Sequence, residues 1–63
     1  MKVIAYQIVE STDMLIVDLE NCTVERQDPE GTILWREMFL DVKLLTAYVE
    51  GMIVEGSIYG SVM

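Results

Sequence analysis

With one cysteine, Cys22, and no histidine, this 63-residue chain must hold itself together without cross-links. One thiol forms no intrachain disulfide. A tetrahedral zinc site needs four thiolate or imidazole ligands, and one thiol cannot build it. A chain of this length hides only about 60% of the surface its unfolded form exposes, so a lone core is marginal. Small domains without staples turn to oligomerisation or to an unusually well-filled core. The length allows one domain, residues 1–63.

Composition favours oligomerisation. Hydrophobic residues make up 52% of the chain and the mean hydropathy is +0.36, high for a domain with so little interior. The apolar residues are spread along most of the sequence, so some face outward from any single-copy fold. Contiguous exposed apolar surface normally marks an interface. The expectation is a homo-oligomer, a dimer or larger, most simply two-fold.

Net charge is −7, from eleven acidic and four basic residues. Binding a phosphate backbone needs a basic patch. The basic residues Lys2, Arg26, Arg36 and Lys43 are widely separated. Direct nucleic-acid binding is therefore not expected, and attraction to an anionic membrane surface fails for the same reason. An acidic surface suits a basic protein partner. Its plainer role is solubility.

Lys2 is followed by only a brief apolar run, Val3 to Ala5, too short for a signal-peptide core. The most apolar segment, Val42 to Met63, is broken by Lys43, Glu50, Gly51, Glu55 and Gly56. No stretch approaches the ~20 apolar residues of a membrane span. One unpaired cysteine fits a reducing cytoplasm, the expected location.

Residues Lys2 to Glu10 read as a strand, apolar on both faces and so central and covered on both sides. Ser11-Thr12-Asp13 is a turn cluster. Met14 to Leu19, continuing to about Gln27, is a second strand-like run, with a helix from Thr12 as its competitor. Asp28-Pro29-Glu30-Gly31 is the clearest local signal. Proline presets φ for a type I turn, and glycine takes the left-handed position that closes a hairpin with a bulge. Cys22 to Gln27 and Thr32 to Glu37 are the predicted arms. Pairing Asp28 with Thr32 sets Arg26 against Leu34, Glu25 against Trp35 and Val24 against Arg36, with Glu25–Arg36 or Arg26–Glu37 as diagonal contacts.

From Phe39 onward, Val42, Leu45 and Val49 fall on one helical stripe flanked by Leu44 and Tyr48. Trp35 and Met38 also fit it, but the strand-like residues after the turn favour a start near Leu40. Asp41 is the predicted N-cap and Gly51 the left-handed C-cap, giving a helix over about 40–50. Met52 to Met63 is the last strand, with Ile53, Val54, Ile58, Tyr59 and Val62 as β-formers. The fold class is α+β: a three- to four-stranded, mainly antiparallel sheet with one helix on a face, in the order β-β-β-α-β. The other face is where a symmetry mate is expected. This order resembles that of many small phage and bacterial proteins, a likeness of architecture that carries no functional residues.

Without histidine, the commonest acid–base group at neutral pH is missing, and serine–histidine or cysteine–histidine pairs cannot form. The charged sequence neighbours of Cys22 are glutamates and aspartates, which disfavour a reactive thiolate, and it reads as a small buried hydrophobe. Asp18 and Glu20 share a strand face, with Glu10 and Asp13 nearby in sequence. Paired carboxylates can hold a hard cation or divide acid and base roles. They also occur on any solvated strand, and no glycine turn lies among these. The glycines at 51, 56 and 60 match no phosphate-loop spacing. No enzyme activity, cofactor or metal site is expected.

Aromatic residues supply the candidate interface: Tyr6, Trp35, Tyr48 and Tyr59, with Ile8 beside them. Such residues also fill cores. Tyr48 and Tyr59 are favoured as anchors because they flank the main apolar stripe. The expected function is non-catalytic. A self-assembling inhibitor or adaptor of a host or partner protein comes first. A nucleic-acid mimic is the second reading, its acids lying along one face to occupy a basic groove. A structural subunit of a larger homo-oligomer is the third.

Overall fold

Three turns break the first two-thirds of the chain into four strands, and each turn is held by its own side chains. A computed structural model describes residues 2–60. β1 (Val3–Ile8) and β2 (Met14–Asp18) join through a loop in which Gln7 Nε2 donates to the Ser11 and Asp13 carbonyls, at 2.7 and 3.2 Å. β2 and β3 (Thr23–Gln27) join through an Asx turn, where Asp18 Oδ1 accepts from the Glu20 and Asn21 N–H groups at 3.0 Å each. β3 and β4 (Ile33–Met38) join through the Asp-Pro-Glu-Gly turn, with Gly31 at φ +91° and its N–H on the Asp28 carbonyl.

The sheet is antiparallel with the order β4-β3-β2-β1-β5, where β5 (Ile58–Tyr59) pairs with β1. The fold is α+β, with five strands where three to four were expected. The extra strand comes from the run after Met14, which the Asp18 turn cuts into β2 and β3. Cys22 closes that turn at φ +54°, half-buried rather than buried. Its carbonyl accepts from Phe39 N–H at 2.8 Å.

The turn pairs Asp28 with Thr32 as expected, Asp28 N–H donating to the Thr32 carbonyl at 3.0 Å. A bulge between Arg26 and Gln27 then shifts the rest of the ladder by one residue. Arg26 lies opposite Trp35, Glu25 opposite Arg36 and Val24 opposite Glu37. The shift sets Arg36 Nη2 2.9 Å from Glu25 Oε1, directly across the strands rather than on a diagonal.

The helix α1 (Val42–Glu55) starts at the predicted cap, with Asp41 Oδ1 accepting from Leu44 N–H at 3.0 Å. It runs straight through Gly51 and ends at Gly56, in the left-handed region at φ +83°. Gly56 N–H reaches the Ile53 carbonyl and Ser57 N–H the Met52 carbonyl, at 3.1 and 2.9 Å. That pair of bonds is a Schellman motif. The predicted C-cap at Gly51 is thus corrected by one more helical turn, which brings Met52 against the core. Residues 52–55, predicted as strand, are helical, and β5 keeps only two residues. The far end of the predicted strand, with Val62, lies outside the described residues.

Side chains from one sheet face and one helix stripe make the core: Leu15, Val17, Val24, Leu45, Val49 and Ile58. Tyr6, Ile8, Leu19, Phe39, Tyr48 and Met52 pack around it. The two glycines give a direct check on the helix end. A Cβ on Gly51 meets nothing within 4 Å, so Gly51→Ala gains about 0.5–1 kcal/mol from helix propensity. A Cβ on Gly56 also has room, but the left-handed backbone makes Gly56→Ala cost about 1–2 kcal/mol. Urea unfolding at one protein concentration should move the two midpoints in opposite directions.

Candidate interaction surfaces

The ladder sorts the sheet residues into two faces. Ile4, Val17 and Val24 form one row toward the helix; Tyr6, Leu15, Arg26 and Trp35 form the next. On the opposite face the rows are Val3, Asp18, Thr23 and Met38, then Ala5, Ile16, Glu25 and Arg36. That face carries a shallow hollow of about 450 Å³ whose lining mixes Val3, Ile16 and Met38 with Asp18, Thr23 and Glu25. It is therefore half polar, with Glu25 holding both Arg36 and the Gln27 amide. All of β1 is half-buried.

The helix does not reach across the whole sheet. At one side it leaves an apolar cleft of about 240 Å³ among Ile4, Tyr6, Leu19 and Ile53, with Glu50 and Thr46 at its edge. At the other side it leaves β4 uncovered, and every residue of that strand is exposed.

Most of the exposed large apolar side chains fall in two groups, with Val9, Val42, Ile53 and Tyr59 outside them. One is β4, with Ile33, Leu34, Trp35 and Met38. The other lies along the outer helix, where Leu44, Ala47, Gly51 and Val54 recur at helical spacing and Leu40 precedes them. Leu40 is 93% exposed and Val54 86%.

The candidate interface residues are scattered over these surfaces. Tyr6 lines the cleft and Ile8 packs against the core. Tyr48 is half-buried, its ring 5.3 Å from that of Phe39. Tyr59 is 59% exposed on β5, and Trp35 is 38% exposed on β4. Trp35 and Tyr59 sit at opposite edges of the sheet. Sequence reasoning missed Ile33, Leu34 and Met38, because a hairpin arm next to a predicted helix looks covered. It also missed the outer helix stripe, whose members seemed to belong to two different elements.

The four candidate acids are not brought to one place. Glu10 and Asp13 belong to the loop before β2, Asp18 and Glu20 to the turn after it. At about 3.4 Å per residue, β2 holds the two pairs roughly 17 Å apart. Asp13 is engaged by Arg26, Nε to Oδ2 at 2.8 Å. Bonds from the Asn21 side chain and backbone hold the Asp18 carboxyl below its ordinary pKa. Among the described residues, no three cysteine or acidic side chains gather to hold a metal ion. No described helix is long and apolar enough to cross a membrane. Compared with known protein families, curated proteins and solved structures, the chain matches none.

Proposed function

We propose that this chain is a non-catalytic contact protein that self-assembles and acts as an inhibitor or adaptor of a partner protein. One observation carries the reading: seven of the eleven exposed large apolar side chains among the described residues lie on two surfaces, β4 and the outer helix with Leu40 before it. Two such surfaces suit two contacts, one with its own copies and one with a foreign chain. Tryptophan, arginine and methionine on the first match the residues enriched at interface centres. The net charge of −7 gives the remaining surface a preference for basic partners and keeps the apolar patches from random association.

Light scattering on a size-exclusion column, at low and high salt, tests self-assembly. The expected result is a discrete oligomer at a multiple of 7.2 kDa that persists in high salt, because apolar contacts are not screened. A clean 7.2 kDa monomer at both salts would remove self-assembly from the reading.

A further inference from the structure

The two edges of the sheet are built differently. β5 is two residues long, and a short edge offers little to pair with. β4 is six residues long, exposed at every position and apolar at four of them. Natural sheets blunt such edges with lysine, proline, other charges or bulges; β4 has no lysine or proline, and its blunting is limited to one Arg36–Glu37 pair of opposite charges and the bulge near its start. We propose that β4 pairs antiparallel with β4 of a second copy about a two-fold axis perpendicular to the sheet, making a continuous ten-stranded sheet. The proposal rests on the self-assembly reading above and names its interface.

Backbone directions limit how the two strands can meet. Phe39 N–H donates to the Cys22 carbonyl, so alternation turns Glu37 and Trp35 toward β3. Arg36 and Met38 then direct their N–H and C=O groups away from the sheet. Only registers that bring these residues together complete the ladder. Pairing Arg36 with Met38 of the second copy sets Glu37 directly against its own image. Unscreened like charges at closest approach destabilise that register. Pairing Met38 with its own image leaves only the end of the strand overlapped. Pairing Arg36 with its own image overlaps five residues, with Met38 of the second copy reaching Leu34, the extra residue of the bulge. Each Arg36 brings its own counter-ion, since Glu25 lies 2.9 Å away with its side chain only 13% exposed. The central row is then Glu25, Arg36, Arg36 and Glu25, neutral in sum.

Charge also selects the second copy as occupant. Two chains of net charge −7 repel in general, yet Ile33–Met38 holds one arginine and one glutamate and is locally neutral. The open sheet face is a poorer site, since Asp18, Thr23 and Glu25 line it. The two-fold satisfies the same backbone groups on both chains.

The test places a thiol on the axis. An antiparallel pair of this type holds its Cα atoms about 5.5 Å apart, within disulfide range. The variant Cys22→Ser/Arg36→Cys should oxidise to a covalent dimer at least tenfold faster than Cys22→Ser/Lys43→Cys, whose thiol lies on the helix. Independently, Arg36→Pro removes one outward N–H and keeps the backbone bonds to β3, while losing the Arg36–Glu25 pair. It should keep its circular dichroism spectrum and run as a monomer. If the unaltered chain oligomerises while Arg36→Cys fails to cross-link, or while folded Arg36→Pro still oligomerises, the β4 interface is wrong and self-assembly stands. If the unaltered chain is monomeric, both fall.

Discussion

Leu45→Ala removes a large part of the chain's stability. Leu45 is fully buried in the first turn of the only helix among the described residues, in one core cluster with Leu15, Val17 and Val24. Truncating a buried leucine costs about 2–5 kcal/mol, through lost transfer energy and the cavity left behind. At about 0.05–0.15 kcal/mol per residue, a 63-residue domain has only roughly 3–9 kcal/mol to lose. No disulfide offsets the loss, since Cys22 is the one cysteine. Leu40→Ala is the matched control. Leu40 is almost wholly exposed, and its truncation should move stability by no more than about 0.5 kcal/mol. Urea unfolding followed by circular dichroism, at one protein concentration because assembly adds to stability, separates the two. Equal midpoints would mean that the helix is not held by Leu45.

Ile58→Ala costs a similar amount, about 2–5 kcal/mol, although its strand is only two residues long. Ile58 is 2% exposed and joins the core cluster from beyond the helix. Its strand lies opposite Gln7 and Ile8 of β1, and Val9 N–H adds a bond to the Ser57 carbonyl at 2.9 Å. This one side chain therefore ties the end of α1 to the sheet. Removing it opens the core at the edge where β5 is thinnest. Tyr59 points to solvent from the same strand, and Tyr59→Ala should change stability by less than about 0.5 kcal/mol. Hydrogen exchange gives a second readout. Ile58→Ala should expose the last turn of the helix to exchange before the β2–β3 pair. Protection lost uniformly would contradict β5 as a local tether.

Where a local cause suffices, the sequence alone determined the outcome. The Asp-Pro-Glu-Gly turn, the Asp41 cap and the Leu45–Val49 stripe form as read, because each depends on residues within one turn of themselves. The α+β class follows from those signals. The end of the helix does not, because Gly51 and Gly56 are equally able to cap. Burying Met52 decides between them, and that needs a sheet to pack against. The hairpin register likewise depends on a bulge that no residue announces, and on the Glu25–Arg36 pair that the bulge makes. Exposure was the least legible property. The apolar residues of β4 and those of β2 look alike in sequence, yet the helix covers one strand and not the other. A single helix is about 10 Å wide and a five-stranded sheet about 19 Å across, so one edge must stay bare. Which edge is bare was settled by where β5 pairs, on the far side of β1, and this is a choice only the tertiary structure makes.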